Sequence, residues 1–149
     1  MVGVGGPGTA LPAFRAVTLA GDTLDSGDFE GRVVVVNFWA TWCAPCRWEM
    51  PALQKLHEER KERGLILLGI SRDGGGAEGA VRAFLDERGV TYPVTIDDGR
   101  LARAFGGLRG LPTTLIVDRR GVVRHRVYGY FAPAALRVAV DRLLDEPLR

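Results

Sequence analysis

The sequence predicts an α/β fold, and three observations carry that prediction. Four consecutive valines, Val33 to Val36, run into Asn37-Phe38-Trp39, a stretch too densely apolar to alternate and so a strand buried on both faces. Residues 43 to 63 read as a helix and Leu65 to Ile70 as a second buried strand, which gives strand, helix, strand and hence a parallel crossover. The C-terminal third reads as a hairpin followed by a last helix. With 149 residues the chain is one domain's worth, long enough to bury a sizeable core.

Taken in order, Met1 to Ala10 holds four glycines and a proline, with neither a cationic start nor an apolar core of a signal peptide. It is expected to be a disordered linker or the remnant of an expression tag, ahead of a single domain over residues 11–149. Leu11 to Gly31 reads as short strands with turns: Ala16-Val17-Thr18-Leu19, a turn at Gly21-Asp22, then Thr23-Leu24 as a small hairpin. The helix after the valine strand ends at Gly64, with Met50, Leu53 and Leu56 as its apolar stripe and a solvated charged face from Lys55 to Glu62. Pro51 falls inside it and is expected to kink it.

Gly74-Gly75-Gly76 lacks the Gly-Lys-Ser/Thr ending of a phosphate loop and reads as a plain loop. Val81, Phe84 and Leu85 mark a helix closing near Gly89. Tyr92 to Ile96 is a short strand and Leu101 to Phe105 a short helix. Thr114 to Val117 and Val122 to Tyr128 pair across the turn Asp118-Arg119-Arg120-Gly121, and Leu136, Val140, Leu143 and Leu144 line the last helix.

Composition removes several function classes. The chain is 46% hydrophobic and 26% charged, ordinary for a globular domain, with a net charge of only +2. That charge is too small and too scattered for nucleic acid, and no apolar run approaches a membrane span. Its two cysteines, Cys43 and Cys46, stand at Cys-x-x-Cys spacing with none elsewhere, which is not a structural disulfide framework. A zinc site would need two more ligands, and His57 and His125 lie far apart in no ligand pattern, so no metal is expected.

The dithiol sits where the buried strand meets the first turn of the helix. Unpaired N–H groups and the helix dipole favour a thiolate at Cys43, Pro45 suits the first turn, and the spacing lets a Cys43–Cys46 disulfide close. Cys43, at the exposed tip, is the expected nucleophile and Cys46, one turn deeper, the resolving thiol. The bland alternative is a pair of inert core cysteines. Glu49 lies three residues past Cys46 on the same helix face, where a partly buried carboxylate with a raised pKa can exchange protons with Cys46. Its bland alternative is a solvated first-turn glutamate favoured by the dipole.

The string Val-Val-Asn-Phe-Trp-Ala-Thr-Trp-Cys-Ala-Pro-Cys-Arg-Trp-Glu-Met-Pro, residues 35 to 51, resembles the thioredoxin superfamily, and within it the TlpA/ResA type of thiol–disulfide oxidoreductase. The resemblance covers nearly all the chain after the first ten residues. It implies a thioredoxin-like fold, a central mixed β-sheet flanked by helices, with an N-terminal β-hairpin extension and an inserted helix. It also implies catalysis by Cys43 and Cys46 with Glu49 tuning them, and no cofactor beyond the redox-active disulfide. Asn37 occupies the position where thioredoxins proper place a buried acid, which moves any acid–base role to Glu49.

Pro112, in Arg-Gly-Leu-Pro-Thr, looks like the cis-proline that faces the dithiol in this superfamily, where Leu111 would pair with an extended substrate peptide. Its alternative is a proline that merely opens a strand. Thr113 follows it, whereas relatives dedicated to cytochrome c maturation in some bacteria carry glutamate there. Trp42 is expected to face substrate and Trp39 to belong to the core. Trp48 stands where the family often has a charged residue and would widen an apolar contact patch.

The implied function is reduction of disulfides in extracytoplasmic proteins, with cytochrome c maturation as one such task. The implied partners are oxidised protein substrates and a thiol-donating membrane or soluble reductase. Location in the periplasm or on the outer face of the cell membrane follows from the same resemblance, with the cytoplasm as the alternative. It further implies a signal peptide or anchor upstream of Met1 in the full-length gene. Two other classes stay open. A thiol peroxidase needs Thr-x-x-Cys, and Thr41-Trp42-Cys43 has the wrong spacing. A metal-handling module on the same fold needs ligands that the sequence does not place beside the dithiol.

Overall fold

A computed structural model describes residues 4–148. The strands are β1 (Arg15–Val17), β2 (Thr23–Asp25), β3 (Val33–Trp39), β4 (Leu65–Ser71), β5 (Val94–Ile96), β6 (Thr113–Val117) and β7 (Val123–Tyr128). The helices are α1 (Ala44–Arg60), α2 (Glu78–Glu87), α3 (Arg100–Ala104) and α4 (Pro133–Asp145). Strands β1 and β2 form a separate antiparallel hairpin, and the other five make one sheet in the order β5-β4-β3-β6-β7. Strand β3 is central, parallel to β4 and antiparallel to β6, so the sheet is mixed, as the resemblance implies.

The valine run explains the layering. Successive side chains of a strand point to opposite faces, so Val33, Val35 and Trp39 enter the core beneath α1, α2 and α4. Val34, Val36 and Phe38 enter the second core, with Phe29, Leu101 and Phe105. All seven residues of β3 are buried, which is why the stretch carries no polar alternation. Asn37 shares the odd-numbered face and therefore meets α1, the helix that carries the dithiol.

Helix α1 runs unbroken through the exposed Pro51. The expected disturbance there is a missing N–H opposite the carbonyl of Arg47, not an interruption. The helix tightens into a 3₁₀ turn at Lys61–Arg63 and stops at Gly64, whose φ of 104° only glycine adopts without strain. Tyr92 falls outside β5: Pro93 follows it, and pairing with β4 starts at Val94.

One expectation is corrected. Residues 4–10 are not a disordered linker but a strap along β7. Gly8 N–H donates to Val123 O at 2.7 Å, Val123 N–H to Thr9 O at 2.8 Å, and Ala10 forms an antiparallel bridge with Val122. An edge strand offers unpaired backbone groups, and the glycines fit the segment to them. Gly5 and Gly8 adopt positive φ, and a Cβ on Gly5 would collide with the carbonyl of Phe105. Residues 1–3 of that expectation lie outside the described residues.

Candidate active site

Cys43 and Cys46 are joined as a disulfide, their Cα atoms 5.3 Å apart. Cys43 is the N-cap of α1: its backbone is extended, and its sulfur accepts the N–H of Cys46 at 3.3 Å. Pro45 occupies the first turn, and no acid stands there to oppose a thiolate. Cys43 is less open than expected, 6% exposed against 1% for Cys46. The ring-closing bond and the neighbouring side chains cover most of it, and it remains the more accessible of the two.

The loop entering the helix is held from both sides. Thr41 N–H lies 3.2 Å from both carboxylate oxygens of Asp73, and Thr41 Oγ1 donates to Asp73 Oδ1 at 2.5 Å. The carbonyl of Thr41 accepts from the Arg47 guanidinium at 3.0 Å. Asp73 also accepts from Ser71 Oγ at 2.6 Å.

Glu49 is only 3% exposed and lies in the second turn of α1, so it is neither solvated nor in the first turn. One carboxylate oxygen faces Asn37 Nδ2 at 3.3 Å, and the other accepts the N–H of Phe131 at 2.6 Å. Asn37 is itself held by Thr114 Oγ1 at 3.0 Å. Burial pushes the Glu49 carboxyl up to about 7, and the hydrogen bonds from Phe131 and Asn37 offset only part of that rise. Burial together with the charge of Glu49 raises the Tyr92 hydroxyl too. Glu49 is thus a carboxyl able to hold or release a proton near neutral pH, one helical turn from Cys46.

The pairing of Thr113 with Phe38 carries Leu111 and Pro112 to the level of Trp39 and Ala40, beside the dithiol. The Leu111–Pro112 bond is cis. Pro112 is buried, its carbonyl accepting the N–H of Gly129 at 2.8 Å. Leu111 is half-buried, and its backbone N–H and C=O have no backbone partner among the described residues. Trp39 is fully buried and stacks on Phe84, whereas Trp42 is 68% exposed beside Cys43. Trp48 is 65% exposed and meets the edge of Tyr130, ring centroids 6.3 Å apart.

The structure therefore brings Cys43, Cys46, Glu49, Trp42, Leu111 and Pro112 to one end of the sheet. Sequence reasoning missed Asp73, Tyr130 and Phe131. The first lies 32 residues beyond Thr41, which it holds, and Phe131 acts through a backbone N–H that no side-chain motif marks. Among the described residues no cluster of three potential metal-ligating side chains occurs. Among the same residues no helix is long and apolar enough to cross a membrane.

The comparisons with known proteins agree with this geometry. The AhpC/TSA family model matches residues 7–126. The chain is 34% identical over 122 residues to the thiol-disulfide oxidoreductase ResA of Bacillus thuringiensis, covering 82% of this chain and 69% of that one. Its fold matches a thiol:disulfide interchange protein of the thioredoxin family from Chlorobium tepidum with a TM-score of 0.84 at 32% identity, over 93% of this chain and 97% of that one. A secreted thiol-disulfide isomerase from Corynebacterium glutamicum matches with a TM-score of 0.82 at 30% identity, over 91% and 86% of the two chains. A dithiol at the cap of a buried strand–helix junction, on a chain this similar throughout, places the protein in the AhpC/TSA family with its thioredoxin-like fold, as a thiol–disulfide oxidoreductase.

Proposed function

We propose that the protein works as a reductant of disulfides in extracytoplasmic proteins, apocytochrome c among the candidate substrates. The observation that carries the proposal is the buried Glu49, poised about neutral pH one turn below Cys46. A base buried at that point helps the inner thiol to leave the mixed disulfide stage behind. The secreted relative and the resemblance to ResA support an extracytoplasmic site. For cytochrome c in particular the support is the resemblance alone, and Thr113 departs from the glutamate of relatives dedicated to that task.

In the reduced protein the Cys43 thiolate, favoured by the helix N-terminus, attacks one sulfur of the substrate disulfide. The substrate S–S bond breaks, a Cys43–substrate disulfide forms, and the expelled thiolate takes up a proton. Cys46 gives its proton to the Glu49 carboxylate and attacks the Cys43 sulfur. The mixed disulfide breaks, the Cys43–Cys46 disulfide forms, and the second substrate thiolate leaves and is protonated. Two electrons have passed from the dithiol to the substrate, and a thiol-donating reductase must return them. The substrate backbone would pair with the free N–H and C=O of Leu111 while Trp42 covers the exchanging sulfurs.

Two measurements test the proposal. Cys43→Ser should abolish turnover, whereas Cys46→Ser should retain attack and accumulate a substrate-linked adduct detectable by mass. The reduction potential decides direction: a value near that of thioredoxin, about −270 mV, supports a reductant, and one near −120 mV overturns it.

A further inference from the structure

Every exposed tryptophan and tyrosine ring among the described residues lies at the dithiol end of the sheet. Trp42 adjoins Cys43, and Trp48 follows Cys46 and meets Tyr130. Tyr128 pairs in register with Thr113, the residue after Pro112. The other exposed large apolar residues, Val4, Val17, Val138 and Leu148, are aliphatic and scattered along the chain. Four aromatic rings held in water at the end of the sheet that carries the reactive bond, with Tyr128 on the face of Phe38, indicate a contact surface, since apolar side chains on an unpartnered surface are normally dispersed.

Charge around the dithiol differs between its two sides. The segments on the side of α1, β6 and β7, residues 40–48, 106–112 and 127–135, contain Arg47 and Arg109 and no exposed acid, whereas the exposed acids Glu78 and Asp98 follow β4 and β5. The Arg109 guanidinium lies 5.7 Å from the centre of the Tyr128 ring, so ring and cation present together. The nearby Asp73 is turned inward on Thr41 and Ser71.

Resting on the oxidoreductase reading above, we infer that the preferred substrate is an extended disulfide-bearing segment with aromatic or large aliphatic residues and acidic residues close to its cysteine. The free backbone of Leu111 takes the segment as an added strand. The Trp48–Tyr130 edge and Trp42 receive its apolar side chains, and Arg109 and Arg47 its carboxylates. Residues Trp48, Tyr130 and Arg109 are then specificity-determining, selecting among disulfides that Cys43 attacks by the same chemistry.

The test is a panel of peptides carrying one disulfide, identical except for flanking residues: Phe and Glu, Phe and Lys, Ser and Glu, Ser and Lys. The protein, kept reduced by excess dithiothreitol with the uncatalysed rate subtracted, should give the highest kcat/KM on the Phe and Glu peptide. Its expected margin over the Ser and Lys peptide is roughly ten-fold, the combined size of one aromatic contact and one exposed charge contact. Arg109→Glu should reverse the Glu-over-Lys preference, and Trp48→Ser with Tyr130→Ser should remove the Phe-over-Ser preference. Equal rates across the panel, or preferences unmoved by these variants, overturn the inference and leave the oxidoreductase reading standing. Failure to reduce any peptide disulfide overturns both.

Discussion

The carboxylate of Glu49 on α1 and the backbone N–H of Phe131, ahead of α4, are joined by a 2.6 Å hydrogen bond inside the protein. That bond ties the acid one turn below the dithiol to the segment that carries Tyr130. In the proposed mechanism the proton state of Glu49 would reach both the chemistry of Cys46 and the segment of Tyr130.

Stability should carry the signature of this acid. The folded protein holds the Glu49 proton up to about pH 7, the unfolded chain only to about 4.5. Between those values the folded state binds more protons, so this group's contribution is complete below pH 4.5 and is lost as pH rises through 7. At 1.36 kcal/mol per pH unit the gap corresponds to about 3 kcal/mol. His57, whose pKa burial lowers, acts in the opposite sense across pH 5 to 8, so the wild type alone does not isolate Glu49. Urea unfolding of the oxidised wild type and Glu49→Gln at pH 5 and pH 8 does. The variant should be the more stable of the two at pH 8 and lose that advantage at pH 5. Parallel pH curves would show that Glu49 ionises as freely in the fold as in water.

Exchange kinetics should respond to the same group. If Glu49 takes the Cys46 proton, Glu49→Gln slows the resolving step by about a hundred-fold. It also erases the inflection near pH 7 in its rate and lets the mixed disulfide accumulate. A stopped-flow pH profile that keeps the inflection in the variant would assign the proton to another group.

Much of this was legible in the chain, for physical reasons that can be named. The valine run is nearly free of polar residues because β3 is covered on both faces, and Gly64 ends α1 because the chain must pass through positive φ there. The dithiol is legible because a motif of four residues fixes its own geometry. The N-terminal strap was misread because glycine content signals flexibility equally when glycines serve close backbone contact, as Gly5 does against Phe105. The partners of Glu49 were illegible because Asn37, Thr114 and Phe131 meet only through the order β3-β6-β7 and the packing of α1 on the sheet.

Asp97 should be the costliest polar residue to remove outside the active site. Its side chain is fully buried, paired with Arg72 at 2.7 Å, and it accepts the N–H groups of Gly99, Leu101 and Ala102 at 2.9 to 3.0 Å. Asp97→Ala strands those donors and the Arg72 charge together, for a cost of about 3 kcal/mol or more. Chemical denaturation should register that loss, with Asp97→Asn falling between it and the wild type. A loss below about 1 kcal/mol would mean that water replaces the carboxylate without difficulty.

Gly69, in the middle of β4 and opposite Asn37 in register, sets a last prediction. Glycine inside a strand ordinarily weakens it, so alanine there would gain roughly 0.5–1 kcal/mol if space allowed. Space does not allow it. A Cβ at Gly69 would stand 3.2 Å from each of Trp39 Nε1, Tyr92 Cε1 and Val94 Cγ2. All three belong to side chains at most 3% exposed, two of them rigid rings and the third β-branched, so none can swing aside. Overpacking of this kind costs about 1–3 kcal/mol and outweighs the gain. Gly69→Ala should lower the thermal midpoint by about 2–6 °C in a chain of this length, and the near-ultraviolet dichroism of Trp39 should change with it. An unchanged or higher midpoint would mean that the Trp39–Tyr92 pair can part to admit a methyl group.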